Sequence, residues 1–450
     1  MAQSTQTNAE NVKKLHKPEN QNKTVKVYFG IFFDGTMNHR EQAIIGENYR
    51  EKEQEKKSLG LSKKELKKEL KEIKQELGYK GSRLQENDQS NVALLFPVFN
   101  EKSEEHVCRM YVTGIGTEDD GSTSILVGGA FGKGDTGIVT KVEKAITQIP
   151  AKIAGLQGIG YKDNIELYFE LFGFSRGAAA ARRFVWNVME KNKTALTEKL
   201  KPKNLNSIKI NYVGLFDTVS SFGLNLFSDN DVDELHLDAI RVAKYVYHIC
   251  AADEFRKNFA LTDISSAKGK EIFIPGAHSD IGGGYPAGEY SVTLEMDLLP
   301  NKTVDDMNTV VTQESLMHLG WIRDTPVKNY NIYHLNSPNE IQSEYIQFKN
   351  TINKGYSYIG LELMAENANS NRANMFEPIR QQYKTPSQLT KMKGIANNSI
   401  SLGTCQSLFN PYYKEFDLRK YWLHFSSNDG DIGMGPRKEN GILRRNIIPG

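Results

Sequence analysis

The sequence contains only three cysteines, Cys108, Cys250 and Cys405, and their spacing matches neither a disulfide framework nor a zinc site. Such sparse cysteines are typical of a protein that folds in a reducing compartment. The sequence has no run of about 18 apolar residues, so we expect no membrane-spanning helix. Residues 1–22 are polar and lack the apolar core of a signal peptide, so export would need a route without a cleaved signal.

An excess of charge of one sign is also nearly absent. The 57 Lys and Arg residues are balanced by 55 Asp and Glu residues, which leaves a formal net charge of +2. This balance argues neither for nor against anionic partners in general, and we expect no nucleic-acid partner. The apolar fraction is 39% and the mean hydropathy is −0.52, so much of the chain must be solvated. A chain of 450 residues is nevertheless long enough to bury a substantial core, in one large domain or in several.

The most informative stretch is residues 165–182, where an apolar run typical of a buried strand changes into Ala-rich helix formers. Gly173-Phe-Ser175-Arg-Gly177 lies at the junction and has the G-x-S-x-G pattern of a nucleophile elbow. Small glycines allow a sharp turn that exposes the serine hydroxyl, and the following helix points its N-terminus at the site. A purely structural strand-turn-helix is the alternative interpretation.

The first predicted strand, residues 25–33, ends in a polar loop that contains Asp34, Gly35, Thr36 and Asn38. A carboxylate, a glycine and two small polar residues at a strand end suit a site loop, and a simple Asp-Gly turn is the alternative. Because the carboxyl ends of parallel strands share one sheet edge, we expect this loop near Ser175.

Two further predicted strands end in candidate catalytic residues. Residues 208–216 lead into Asp217, for which a helix N-cap or turn aspartate is the alternative role. Residues 271–275 lead into a loop with His278 and Asp280, followed by three glycines that include Gly282 and Gly283. We interpret the glycine-rich segment as a closely packed, mobile loop.

Ser175, Asp217 and His278 follow one another in the order Ser…Asp…His that is typical of α/β-hydrolases. In this hypothesis His278 deprotonates Ser175, and Asp217 fixes the imidazole tautomer. The backbone N–H of Arg176 is one candidate oxyanion donor, and the N–H of Gly35 or Thr36 is the second. Three substitutes for these roles stay open: Asp280 for Asp217, and His318 or His424 for His278, although His318 lies within a predicted helix.

Other segments carry weaker signals. Residues 47–80 are dense in Lys and Glu, with a narrow apolar stripe over 62–77 that predicts a solvated helix inserted in the core. The glycine-rich residues 128–134 do not fit a phosphate loop, so we interpret them as a flexible loop. Residues 428–431 lack the spaced ligands of a calcium loop, and a turn is favoured. Residues 251–256 have a helical pattern, and residues 421–426 resemble a last strand or an edge.

Seven blocks, taken in order, resemble those of one bacterial α/β-hydrolase family, the type VI secretion phospholipase effectors with a G-F-S-R-G elbow. These blocks are residues 33–38, 113–117, 128–132, 173–178, 214–219, 252–256 and 276–285. The resemblance covers about residues 25–290 and assigns the family's catalytic triad to Ser175, Asp217 and His278.

The resemblance implies an α/β-hydrolase-like fold, a mostly parallel central sheet flanked by helices, with a C-terminal cap or accessory region. The charged helical insertion at 47–80 is not part of the family pattern, and residues 291–450 match the family only weakly. We therefore expect a disordered arm (1–23), indicated by its polar composition, a catalytic core (24–290) that contains the insertion, and a C-terminal part (291–450) with cap or membrane-contact elements. No cofactor or metal is expected, and calcium is unsupported.

The resemblance also implies a function. The expected reaction is A1- or A2-type cleavage of membrane glycerophospholipids, with a cognate immunity protein and type VI spike or tube proteins as partners. Synthesis in the bacterial cytoplasm and delivery into the periplasm or cytoplasm of a target cell would follow. Two alternatives stay open: a serine esterase that acts on soluble esters, and a non-catalytic module that binds secretion proteins.

Overall fold

The computed structural model describes residues 23–121, 137–221, 232–296, 313–322, 327–334, 337–415, 417–429, 434–439 and 442–450. Its strands are Thr24–Phe33 (β1), Val107–Val112 (β2), Asn164–Phe174 (β3), Asn204–Phe216 (β4), Val246–Ala251 (β5), Leu261–Thr262 (β6), Gly269–Ile274 (β7), Gly288–Glu295 (β8), Lys328–His334 (β9), Ser337–Ile352 (β10), Lys438–Glu439 (β11), Ile442–Leu443 (β12) and Ile447–Ile448 (β13).

The α-helices are Arg40–Ser58 (α1), Lys63–Leu77 (α2), Arg83–Glu86 (α3), Asn91–Leu95 (α4), Ile138–Ala154 (α5), Arg176–Trp186 (α6), Lys193–Leu200 (α7), Val232–Leu235 (α8), His278–Gly282 (α9), Gln313–His318 (α10), Tyr358–Asn371 (α11), Thr390–Ala396 (α12), Leu402–Glu415 (α13) and Leu418–Tyr421 (α14). None of these helices combines the length and the apolar character that a bilayer crossing requires, within the described part of the chain.

A six-stranded sheet forms the centre, with the order β2-β1-β3-β4-β5-β7 and parallel pairing throughout. All strand carboxyl ends therefore point to the same edge, as the prediction of a shared site edge requires. The predicted α/β class with a mostly parallel sheet is confirmed. Strand β5 was not predicted, and it supplies the neighbour of β4 next to the site.

Successive side chains along each strand point to opposite faces of the sheet, so the core has two layers. Phe29 and Phe33 of β1 face the layer formed with α5 and α6, where Ala178 and Phe184 are fully buried. Phe32 faces the opposite layer and stacks on Phe172 of β3, with ring centroids 4.9 Å apart. Helices α4 and α11 cover that second face, so both sides of the sheet are covered, as a parallel sheet requires.

The charge-dense segment forms a hairpin of α1 and α2, which confirms the predicted charged helix over 62–77. Ser62 caps α2 in a capping box with Glu65. Ile73 is the one buried residue of α2, and surface ion pairs such as Lys56–Glu69 at 2.9 Å join the two helices. The hairpin begins at Arg40, directly after the first-strand loop, so its first helix starts earlier than the charge pattern indicated.

The C-terminal part adds a three-stranded antiparallel sheet, β8-β10-β9, and the long helix α11. The predicted division at residue 290 lies inside β8, so the chain passes it within one strand. Arg372, directly after α11, reaches the buried Glu170 in the middle of β3, with nitrogen–oxygen distances of 2.5 and 2.7 Å. This part of the chain therefore packs directly on the central sheet.

Two local predictions were wrong. Residues 251–256 were predicted to be helical, but Ala251 ends β5 and the residues after it form a turn, where the buried Glu254 side chain pairs with Arg256. Residues 421–426 were predicted to be a strand or an edge, but α14 ends at Tyr421 and no strand follows there.

In the 428–431 segment, the side chains of Asn428 and Asp429 accept N–H bonds from β8. Residues 1–22, 128–134, 430 and 431 lie outside the described part.

Candidate active site

Ser175 lies in a strained turn between β3 and α6, with φ 59° and ψ −128°. A non-glycine residue seldom adopts such a conformation, and it is the geometry of a nucleophile elbow. The two glycines of the motif are required by close packing. A Cβ on Gly173 would lie 2.5 Å from the Gly177 carbonyl oxygen, and a Cβ on Gly177 would lie 2.3 Å from the Asp34 carbonyl oxygen. The helix can therefore start directly against the ends of β1 and β3.

Backbone hydrogen bonds tie Ser175 to the neighbouring strand end. Its N–H donates to the Phe216 carbonyl at 3.0 Å, and its carbonyl accepts from the N–H of Val219 at 3.4 Å. Phe174 and Phe216 are register partners in the β3–β4 pair, so Ser175 and Asp217 follow paired residues. The structure therefore places the predicted nucleophile and the predicted acid at adjacent strand ends.

Asp217 and His278 are hydrogen-bonded, with 2.5 Å between Asp217 Oδ2 and His278 Nδ1. The His278 imidazole is held between two rings, Phe174 at 4.6 Å and Phe259 at 5.0 Å between centroids. Because Phe174 precedes Ser175, this contact also brings His278 to the elbow. Ser175 Oγ and His278 are not hydrogen-bonded to each other in the structure, and that contact would have to form with a bound substrate.

The Asp217 carboxylate is fully buried and accepts four hydrogen bonds from outside its own loop. Besides His278, the Ala251 N–H donates at 2.8 Å, and the Arg445 guanidinium binds both oxygens, at 2.5 and 2.8 Å. Burial alone would raise the pKa of Asp217, but Arg445 and His278 outweigh it and hold the pKa below its ordinary value. Asp217 is therefore ionised at neutral pH.

Burial lowers the pKa of His278 below its ordinary value, although the hydrogen bond to Asp217 acts in the opposite direction. The imidazole is therefore neutral near pH 7, as a general base must be. A buried ion pair supports its backbone: Glu254 Oε2 accepts from the His278 N–H at 3.1 Å and from Arg256 at 2.7 Å. Arg256 in turn lies 3.4 Å above the Phe259 ring that contacts the imidazole.

The first-strand loop lies beside the elbow, as predicted, and Asp34 organises it. The carboxylate of Asp34 accepts from the Ser90 hydroxyl and the Tyr111 hydroxyl, each at 2.5 Å, and from the N–H of Gly35 at 2.7 Å. The Gly35 N–H is thus engaged by Asp34, which leaves Thr36 as the better second oxyanion candidate. Asn38 lies in the same loop, where its carbonyl accepts from the N–H of Gly114.

Arg176 begins α6, so its backbone N–H is the first of the helix and lies directly after Ser175. Its side chain turns away from solvent and donates to the Ser221 carbonyl at 2.9 Å and to Thr36 Oγ1 at 3.3 Å. The guanidinium therefore links three parts of the site: the elbow, the first-strand loop and the loop after Asp217. The Arg176 side chain therefore supports these loops. The backbone N–H, directly after Ser175, remains the candidate oxyanion donor.

The alternative acid and bases occupy other positions. Asp280 pairs with His424, with 2.6 Å between Oδ1 and Nδ1, and its other oxygen accepts backbone N–H groups of Ala277 and His424. The structure thus holds two separate His–Asp pairs, and the pair at Asp217 is the one beside the elbow. His318 ends α10 in the C-terminal part, and it makes no contact with the triad residues in the described structure.

The glycine-rich segment was predicted to be a loop, but its first part, His278–Gly282, forms the short helix α9. The segment is closely packed, as predicted. A Cβ on Gly282 would lie 2.0 Å from the Phe174 ring, and Gly283 forms a backbone bridge to Ser90. Phe174 thus occupies the space that Gly282 leaves, and this contact holds α9 against the elbow.

One group of potential metal ligands occurs in the described part of the chain: His248, Cys250 and Glu271, with ligand atoms within 4.8 Å of one another. His248 Nδ1 lies 2.8 Å from Glu271 Oε2, and its Nε2 accepts from the Thr218 N–H at 3.0 Å. Both ring nitrogens are therefore engaged, so the trio forms a hydrogen-bonded support for the turn after Asp217.

Sequence reasoning missed three contributors to the site. Arg445 gave no local signal, because it lies in a short C-terminal stretch far from any motif. Glu254 and Arg256 lie in the segment 251–256, which was predicted to be helical, and no site role was predicted for either residue. In the turn that they form, residues two apart can bring their side chains together, and Glu254 and Arg256 form a buried ion pair there.

Comparisons with known proteins show what this chain is similar to. Residues 185–309 match the family model for the catalytic domain of Tle1-like phospholipase effectors of the type VI secretion system. The matched range contains Asp217 and His278 and begins after Ser175. A search of curated proteins found no match.

Two solved structures are similar to this chain. The structure of the Tle1 effector bound to the VgrG spike of the type VI secretion system has a TM-score of 0.57 and 21% identity, over 95% of this chain and 94% of that chain. An uncharacterized protein from Pseudomonas aeruginosa has a TM-score of 0.40 and 16% identity, over 86% of this chain and 52% of that chain, which is too low to support a shared fold. The first of these structures shows a shared fold, and the family match supports the resemblance that the sequence blocks indicated: residues 185–309 of this chain are similar to the catalytic domain of the Tle1-like phospholipase effectors of type VI secretion.

Proposed function

We propose that this chain is a serine phospholipase that hydrolyses the carboxylic esters of membrane glycerophospholipids. The observation that carries the proposal is the hydrogen-bonded Asp217–His278 pair beside a serine in a strained elbow. The similarity to a phospholipase effector family supports the choice of substrate class.

Each residue has a distinct role in this mechanism. Ser175 Oγ attacks the ester carbonyl carbon while His278 Nε2 accepts the hydroxyl proton. Asp217 keeps the Nδ1 proton in place and stabilises the imidazolium that forms. The backbone N–H groups of Arg176 and Thr36 are the proposed donors to the oxyanion. His278 then gives its proton to the departing alcohol oxygen of the lysophospholipid, and an activated water hydrolyses the acyl-enzyme.

Delivery is the second part of the proposal. The similar solved structure is that of an effector bound to a VgrG spike, so we propose a spike protein of the type VI system as the carrier of this chain. The family resemblance also leads us to propose a cognate immunity protein in the producing cell. Secretion into a target bacterium would bring the enzyme to its phospholipid substrate.

The test is fatty-acid release from mixed phospholipid vesicles by the full chain, by Ser175→Ala and by Ser279→Ala, followed by mass spectrometry. Ser279 is the matched control, because its half-buried hydroxyl is one residue from His278 but bonds with Tyr285. We expect Ser175→Ala to lose activity by several orders of magnitude, since triad members act as a unit, and Ser279→Ala to keep it. Equal release by all three proteins would exclude Ser175 as the nucleophile.

The same experiment separates the finer alternatives. Phospholipids with a different acyl chain at each glycerol position would show whether cleavage is of A1 or A2 type. Hydrolysis of short soluble esters without release from vesicles would favour an esterase of the same fold. A wild-type protein that is inactive on both, and unlabelled by a fluorophosphonate probe, would contradict a serine hydrolase.

A further inference from the structure

Arg445 is the residue outside the proposed triad that contacts it most directly. Its side chain is 2% exposed, and four hydrogen bonds use its guanidinium. Nη1 and Nη2 bind the two oxygens of Asp217, Nη1 also donates to the Ala251 carbonyl at 3.1 Å, and Nε donates to the Phe259 carbonyl at 3.0 Å. A planar fork that binds both carboxylate oxygens fixes the plane of the carboxylate as well as its position.

The chain delivers Arg445 to this point through a strand. Ile447–Ile448 pair in parallel with Leu261–Thr262, and the N–H of Leu261 donates to the Asn446 carbonyl at 2.8 Å. The N–H of Thr262 in turn donates to the carbonyl of Thr218, the residue after Asp217. The C-terminal strand is thus joined to the Asp217 turn through one intermediate strand, and this arrangement holds the Arg445 backbone in register with its target.

Each Asp217 oxygen accepts two hydrogen bonds. Oδ2 accepts from His278 Nδ1 and from Arg445 Nη2, and Oδ1 accepts from Arg445 Nη1 and the Ala251 N–H. The guanidinium therefore shares the negative charge that would otherwise act on the imidazole alone. It also prevents rotation of the carboxylate, which would move the oxygen that orients His278.

We infer that Arg445 is a positioning residue of the active site, which orients the Asp217 carboxylate toward His278 and sets how strongly the Asp217–His278 pair holds a proton. This inference rests on the proposed function, because its kinetic readout is ester hydrolysis. Arg445 does not touch the reacting atoms, and it acts through Asp217.

Two variants test this inference. Arg445→Gln removes the positive charge and the paired N–H donors that bind both Asp217 oxygens. Arg445→Lys keeps the charge but loses the paired donors. Arg444→Gln is the matched control, since Arg444 is the exposed neighbour in the same segment. For each, kcat and KM are measured across pH on a short ester and on vesicles. The downfield proton resonance of His278 Nδ1, which reports the bond to Asp217, is recorded by NMR.

For Arg445→Gln we expect kcat to fall on the order of 100-fold, the cost of a misplaced catalytic group, with KM little changed. Removing a positive charge makes the Asp217–His278 pair bind its proton more tightly, so the acid limb of the pH profile should move to higher pH. Arg445→Lys should also lower kcat, but the acid limb of its pH profile should stay near the wild-type position, because the charge is kept. Arg444→Gln should match the wild type in both kcat and pH profile.

A wild-type kcat in Arg445→Gln would overturn the inference. So would a reduced kcat with an unmoved acid limb and an unchanged Nδ1 resonance, because a residue that only stabilises the fold would give that result. If Arg445→Gln does not fold, Arg445→Lys decides, and a wild-type kcat there would refute the positioning role. If the wild type hydrolyses no ester, the proposed function fails, while the Nδ1 resonance still tests whether Arg445 orients the pair.

Discussion

Gly177 offers the sharpest steric test of the elbow. A Cβ at this position would lie 2.3 Å from the Asp34 carbonyl oxygen and 2.4 Å from the Phe33 carbonyl oxygen. Carbon–oxygen contacts need about 3.3 Å or more, so Gly177→Ala must separate α6 from the end of β1 by about 1 Å. Both obstructing atoms belong to the backbone, so no side-chain rotation can relieve the clash.

The displacement should affect catalysis more than folding. The N-terminus of α6 carries Ser175 and the Arg176 N–H, and β1 leads into Thr36, so both sides of the oxyanion site would move apart. A shift of about 1 Å in a catalytic group costs on the order of 100-fold in rate. The same overpacking should lower the free energy of unfolding by about 1–3 kcal/mol, which leaves the protein folded at room temperature.

The assay compares kcat and urea unfolding for Gly177→Ala and for a control glycine. Gly394, in α12, has no neighbouring atom within 4 Å of the point that a Cβ would occupy, so alanine fits there without a clash. Gly394→Ala should keep wild-type activity and add about 0.5–1 kcal/mol of stability, the ordinary gain of alanine over glycine in a helix. Wild-type activity and stability in Gly177→Ala would refute the steric account of the elbow.

Two further predictions follow from buried charges. Burial lowers the pKa of His278 below its ordinary value of about 6.5, although the hydrogen bond that His278 donates to Asp217 acts in the opposite direction. We therefore expect kcat/KM to fall on acidification with a midpoint below about 6.5, and a midpoint above that value would contradict a neutral buried base. Arg372→Met should lower the free energy of unfolding by about 3–5 kcal/mol in urea titrations, because it leaves the buried Glu170 without its partner. Adding Glu170→Gln should recover part of this loss, and an unchanged stability in the single variant would refute the ion pair's role.

The fold could be predicted from the sequence wherever a strand is long and buried. Strands β1, β3 and β4 are apolar over most of their length, and each ends in a motif that marks the site edge. Strand β5 was missed because it has only six residues and lies directly before a segment with helix-forming residues. In that segment tertiary structure overrides local propensity: Glu254 pairs with Arg256 and accepts the His278 N–H, and these contacts fix a turn.

The site could be predicted as far as its residues follow strands. Chain order and strand ends were enough to select Ser175, Asp217 and His278, because parallel strands must bring these ends to one edge. The engagement of the Gly35 N–H by Asp34 could not be predicted, since it depends on a single side-chain rotamer. Arg445 could not be predicted either, because it reaches Asp217 across 228 residues of sequence without a motif around it.

The region after residue 290 supplies partners for buried carboxylates of residues 24–290. These pairs argue against residues 24–290 as a separate domain. Several buried carboxylates of the core each have a basic or histidine partner in that region. These pairs include Asp217–Arg445 at 2.5 Å, Asp280–His424 at 2.6 Å and Glu170–Arg372 at 2.5 Å. Removing a partner from a buried charge is strongly destabilising, so residues 24–290 alone would carry these buried acids without their C-terminal partners. One of those acids is the one that orients His278. The candidate active site therefore depends on both parts of the described chain: the motif-rich first part holds the proposed triad, and the C-terminal part holds the Asp217 carboxylate through Arg445.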